Sequence, residues 1–238
     1  MILEAPNRTR IKICGLTREQ DVDAAVAAGA DAVGFVMYPP SPRHVSVERA
    51  AELTKRLPPF VTPVLLFVNE SVSNTIAMCA SVPGATAQFH GDESPDYCQE
   101  ATQHGTRPYL RAARIPLDHG APVFDLVNFA HDYATAQAIL LDAHVDGYGG
   151  GGKTFNWSLL PANVNCHLVL SGGLTPANVT DGITQVRPRC APGKTLSVDV
   201  SSGVEVSKGI KDPEKIFRFV AAVRAADDLL ANRLAMPQ

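Results

Sequence analysis

The amino-acid sequence predicts an α/β fold, a (β/α)8 TIM barrel formed as a single domain over residues 1–238 and favoured by its strand count over an open doubly wound sheet, and three observations carry that prediction. Eight short apolar runs alternate with segments of helical period from one end of the chain to the other. Those runs are apolar on nearly every residue, the pattern of strands buried on both faces of a parallel sheet. The length of 238 residues is close to the roughly 250 that such a barrel takes, and no shift in composition marks a linker between domains.

The elements follow in order. Arg10–Cys14 reads as a first strand, followed by an amphipathic helix near Arg18–Ala28 that ends at Gly29. Asp31–Met37 is the second strand, and Ser46 opens a helix to about Arg56. Phe60–Val68 is a continuous β-rich run, then Ser71–Ala80 is helical and Ala85–Phe89 is a short strand. Ser94 to about His104 forms the next helix, with the strand Pro108–Arg111 behind it. Ala138–Asp142, His167–Ser171 and Leu196–Val200 complete the set of strands. Two stretches fit the alternation poorly: Ile115–Thr135 is interrupted by Gly120 and Pro122, and Ala143–Pro161 is dominated by glycine.

Composition narrows the function classes. The chain is 45% hydrophobic and 19% charged with a formal net charge of −3, so no basic excess points to nucleic acid. No stretch approaches the roughly 18 uncharged apolar residues of a membrane span, and Met1–Arg8 lacks the apolar stretch of a signal peptide. Five cysteines with no C-x-x-C pair argue against a disulfide framework and a zinc site, so a reducing cytoplasm is the expected setting.

Each chemically interesting group falls just after a strand, on the face where barrel enzymes work. Cys14 ends the first strand and is a candidate base or nucleophile; Asp142 ends the sixth. Arg43 lies in a proline-stiffened loop after the second. Small-residue turns follow the seventh strand (Gly172, Gly173) and the eighth (Ser202, Gly203), where glycines let backbone amides approach a phosphate. The run Gly149–Phe155, with Gly150 and Gly152, is placed to cover the same anion. Its Gly152-Lys153-Thr154 ending, with Gly147 five residues ahead, matches a nucleotide phosphate-binding loop in spacing only. No strand runs into it and no long helix follows. Each group alone has an ordinary reading as a packed thiol, a helix cap, a solvated guanidinium or a tight turn; all on one rim point to a site.

These motifs resemble the phosphoribosylanthranilate isomerases of tryptophan biosynthesis. The resemblance rests on Lys12–Gly15, Gly29–Val36, Ser41–Arg43, Phe67–Asn69, Gln88–Gly91, Leu140–Asp142, Gly149–Trp157, Leu170–Leu174 and Val198–Glu205, nearly the whole chain in order. It implies an aldose–ketose isomerase with no metal and no organic cofactor, acting on a small phosphosugar and binding neither nucleic acid nor membrane, as a monomer or a homodimer. The implied roles are Asp142 as general acid, Cys14 as general base, Arg43 on the anthranilate carboxylate, and Gly172, Gly173, Ser202 and Gly203 on the phosphate. An acid wants a raised carboxyl pKa and a base a lowered thiol pKa. The chain departs from the family pattern at Gly151, Asn156, Arg111 and Phe89. Three rivals fit less well: a dual-substrate isomerase would carry aspartate in place of Cys14, a Schiff-base aldolase has only Lys12 to offer, and a phosphate-ligand binding barrel without catalysis would not need both Cys14 and Asp142.

Overall fold

The computed structural model describes residues 8–117, 124–143, 154, 156–162 and 164–235. Eight strands close on themselves as a parallel barrel in sequence order. They are β1 (Arg10–Cys14), β2 (Ala32–Val36), β3 (Thr62–Phe67), β4 (Thr86–Phe89), β5 (Tyr109–Ile115), β6 (Ala138–Ala143), β7 (Leu168–Leu170) and β8 (Leu196–Val200). β1 closes the ring by pairing with both β2 and β8, Lys12 lying opposite Ala32 on one side and Asp199 on the other.

Helices cover the outside: α1 (Glu19–Ala28), α2 (Val47–Thr54), α3 (Val72–Ser81), α4 (Pro95–Ala101), α5 (Leu126–Asp132), α6 (Val179–Val186) and α7 (Pro213–Ala235). Serine side chains cap three of them, Ser46, Ser71 and Ser94 each accepting from an amide of the first turn. The main core lies between sheet and helices and takes the odd-numbered residues of β1, Ile11 and Ile13, with Ile139 and Leu141 of β6. Their even-numbered neighbours point into the barrel, because side chains alternate along a strand. The interior is apolar along β5, β6 and β7, where Ala112, Ala138, Leu140 and Val169 pack together. At β1 and β8 it is charged.

Several boundaries differ from the sequence reading. β5 runs on past Arg111 to Ile115, because the two arginines do not break it. Arg111 turns outward and donates to the carbonyls of Phe89, Ala112 and Gly91, with its guanidinium over the rings of Phe129 and Tyr133. β3 starts at Thr62, after Phe60 adopts a left-handed φ of 72°. The interrupted stretch before β6 still forms the short helix α5. In the glycine-rich connection after β6, the described residues form a single 3-10 turn, Trp157–Leu159, capped by Asn156. A hairpin, β9 (Glu205–Ser207) with β10 (Ile210–Lys211), follows β8 and was not anticipated.

Candidate active site

Cys14 is the last residue of β1, and the alternation that sends Ile13 outward turns Cys14 and Lys12 into the barrel. Lys12 Nζ donates to Asp199 Oδ1 at 2.8 Å, and its charge acts on the Cys14 sulfur beside it. Gly34 on β2 leaves room for that meeting. A Cβ there would stand 2.7 Å from Cys14 Sγ and 3.0 Å from Lys12 Nζ. Burial opposes the Lys12 charge, but Asp199 and Cys14 outweigh it and hold the ammonium above its ordinary pKa. Burial pushes the Cys14 thiol up, against the pull of Lys12; Asp199 adds to the rise and Lys211 opposes it. The thiol is therefore raised where a lowered one was expected, because its desolvation exceeds the stabilisation that the cations give the thiolate.

Asp142, the penultimate residue of β6, lies on the same rim, three strands from Cys14 around the ring. Its Oδ2 is 2.8 Å from His90 Nε2, and its Oδ1 accepts from the amide of Ala143 at 2.9 Å. Gln88 Nε2 donates to His90 Nδ1 at 3.0 Å, which leaves the ring proton on Nε2 to be donated to Asp142. The side chains of Gln88 and His90 are buried, so the Gln88–His90–Asp142 chain fixes the carboxylate.

Arg43 arrives from the loop after β2. Its Nε and Nη2 donate to Glu205 Oε1 and Oε2 at 2.7 and 2.8 Å. The fork expected to be open for a ligand is thus closed along one edge, and the second edge, Nη1 with the outer Nη2 hydrogen, donates to no described residue. Glu205 Oε1 also accepts from Lys211 Nζ at 2.9 Å.

The turns after β7 and β8 come together. Gly172 has a φ of 76°, and a Cβ on it would meet the Ala143 amide at 2.5 Å and Asp142 Oδ1 at 2.7 Å. A Cβ on Gly203 would fall 1.9 Å from the Leu174 carbonyl, so only glycine lets the two turns touch. The amides of Gly173, Ser202 and Gly203 make no hydrogen bond to any described residue. Three unspent N–H groups on adjoining turns suit an anion. Gly150 and Gly152, and the departure at Gly151, lie outside the described residues.

Cys14, Asp142, Arg43 and the two turns therefore share the rim at the strand C-termini. Sequence reading had no role for His90, Asp199, Glu205 or Lys211. The inward parity of Gln88 and His90, even on β4, and of Asp199, odd on β8, was a usable signal; nothing in the sequence marks Lys211. Among the described residues, no group of three or more His, Cys, Asp or Glu side chains is arranged to hold a metal ion, and no helix is long and apolar enough to cross a membrane.

Known proteins match this arrangement. The family model for N-(5′-phosphoribosyl)anthranilate (PRA) isomerase matches residues 11–222. The N-(5′-phosphoribosyl)anthranilate isomerase of Leptothrix cholodnii is 60% identical over 227 residues, covering 95% of this chain and 96% of that one. That of Methylibium petroleiphilum is 60% identical over 224 residues, covering 94% and 98%. The crystal structure of the Thermotoga maritima phosphoribosyl anthranilate isomerase superposes with a TM-score of 0.78 at 38% identity, covering 91% of this chain and 99% of that one. A phosphoribosyl anthranilate isomerase in complex with reduced 1-(o-carboxyphenylamino)-1-deoxyribulose 5-phosphate superposes with a TM-score of 0.72 at 34% identity over the same shares. With the family model spanning nearly all of the barrel, the chain belongs to the N-(5′-phosphoribosyl)anthranilate isomerase family.

Proposed function

We propose that this chain carries out the aldose–ketose isomerisation of tryptophan biosynthesis with Asp142 as the acid and Cys14 as the base. The substrate, N-(5-phosphoribosyl)anthranilate, is an aminoaldose; the product, 1-(2-carboxyphenylamino)-1-deoxyribulose 5-phosphate, is the corresponding aminoketose. The observation that carries the assignment is the placement of Cys14 and Asp142 on one rim with different neighbours: Lys12 at the sulfur, His90 at the carboxylate.

The carboxyl proton of Asp142 goes to the furanose ring oxygen as the bond from that oxygen to C1′ breaks. The anilino nitrogen lone pair forms the C1′–N double bond of a Schiff base. Cys14, as thiolate, then removes the C2′ proton; the electron pair of that bond becomes the C1′–C2′ double bond and the nitrogen regains its lone pair. The resulting enolamine loses its C2′ hydroxyl proton and gains a proton at C1′, giving the ketone. His90 donates to Asp142 throughout and orients its oxygens. Arg43 offers its free edge to the anthranilate carboxylate. The phosphate lies against the amides of Gly173, Ser202 and Gly203, with Gly172 setting the turn and Gly150 and Gly152 covering the anion.

Every group named comes from one chain, so a monomer suffices for this reading, and five free thiols suit a reducing cytoplasm. Fluorescence-monitored turnover of freshly made phosphoribosylanthranilate is the test. Cys14→Ser and Asp142→Asn should each lower kcat by about 10²-fold or more with the fold intact. Near-wild-type rates for either would remove that residue from its role.

A further inference from the structure

Lys211, on β10, is a charged group that the reaction as written does not use. Its side chain has no solvent exposure. Nζ donates to the carbonyl of Ser201 at 3.0 Å, to the Ser201 hydroxyl at 3.3 Å and to Glu205 Oε1 at 2.9 Å. Three acceptors around one nitrogen is the inventory of an ammonium. Glu205 Oε1 is shared: it also takes Arg43 Nε, while Oε2 takes Arg43 Nη2.

Charge counting gives this cluster its meaning. Arg43 and Glu205 alone form a neutral pair, whose attraction for a second carboxylate is weak. A second cation on Glu205 leaves the three groups with one net positive charge, in a site shielded from water where charges are felt strongly. We propose that Lys211 is a positioning residue for the substrate carboxylate: it holds Glu205 against Arg43 and offsets its charge, so that the free edge of Arg43 stays aimed and attractive to an anion. The inference rests on the reading that Arg43 binds the anthranilate carboxylate. The backbone of β10 is tethered separately, Lys211 N–H donating to Asp21 Oδ2 and its carbonyl accepting from Arg18. Lys211→Met thus deletes the ammonium and leaves that tether.

The test compares Arg43→Ala, Lys211→Met, Glu205→Gln and the Lys211→Met/Glu205→Gln double variant in steady-state turnover, with inorganic phosphate as a competing probe of the phosphate turns. Lys211→Met should raise KM about tenfold with kcat within about threefold of wild type. The double variant restores the net charge and should bring KM back to within about threefold of wild type. A role confined to the scaffold leaves the double variant at least as impaired as the single one, and that result overturns the proposal. Phosphate inhibition should stay at wild type in Lys211→Met; its loss would instead assign Lys211 to the phosphate turn. If Lys211→Met does not fold, the double variant decides alone. A raised KM in Arg43→Ala with an unchanged KM in Lys211→Met defeats this inference only, whereas an unchanged KM in Arg43→Ala defeats the carboxylate reading beneath it.

Discussion

Cys14 and Asp142 sit on one rim, three strands apart, in opposite surroundings. Around Cys14 the barrel places formal charges: Lys12 and Asp199 beside it, with Arg43 and Lys211 close enough to act on it. Around Asp142 the partners among the described residues are neutral, an imidazole N–H and one backbone amide, and the carboxylate side chain keeps 13% of its surface open. The difference suits the two tasks proposed for these residues. A thiolate taken out of water is a stronger base than an ordinary one, but forms only if a cation stands ready. A carboxylic acid that must deliver a proton needs orientation more than charge, and a fixed N–H donor supplies it.

The largest effect on this contrast should come from Lys12→Met. It removes the cation beside Cys14 and leaves Asp199 buried with, among the described residues, only Ser171 Oγ donating to its other oxygen at 3.3 Å. Each unit by which the thiol pKa rises costs about tenfold in thiolate at neutral pH, so kcat/KM should fall about 10- to 100-fold. The pH dependence of Cys14 alkylation should move upward with it, and an unmoved alkylation profile would show that Lys12 is not the thiolate's partner. Stability should fall by about 3–5 kcal/mol in urea unfolding, the scale for breaking a buried ion pair.

His90→Ala disturbs the other side. With its N–H donor gone, Asp142 keeps, among the described residues, only the Ala143 amide, and kcat should drop about tenfold with the Cys14 alkylation profile unchanged. A shift in that profile would mean that the two sides are not independent.

The smallest effect concerns thiols away from the rim. Burial pushes Cys98 from an ordinary 9.0 up to about 12 and Cys79 up to about 11, and it raises Cys14 as well. Above pH 9 these thiols ionise in the unfolded chain first, so the unfolded state binds fewer protons than the folded one and stability falls as pH rises. Urea midpoints should be flat from pH 7 to about 8.5 and decline between about 9 and 11; Cys98→Ala should shallow that decline.

The sequence made the barrel readable because each strand is a mainly apolar run set between helical segments, and each candidate group ends one or follows it closely. Cys14, Asp142, Arg43 and the turns at Gly172 and Ser202 lie where that reading put them. Three features were hidden for physical reasons. Arg111 made β5 look finished, since a charge in a strand is tolerated only where carbonyls and rings surround it, and those come from Gly91 and α5. The Arg43–Glu205 fork joins residues 162 apart in sequence, and no spacing rule links them. Lys211 reaches the site only because β9 and β10 fold back beside β8, a short hairpin without strand patterning. What the chain spells out is which groups reach the rim; what surrounds each of them is set by tertiary packing.

The division of labour between the two sides is tested most directly by the primary isotope effect on turnover of substrate carrying deuterium at C2′, measured in Cys14→Ser and in Asp142→Asn. Removal of the C2′ proton limits the first variant and ring opening limits the second. A large isotope effect in Cys14→Ser with one near unity in Asp142→Asn is the predicted result; a large effect in Asp142→Asn and none in Cys14→Ser would contradict the assignment of base and acid.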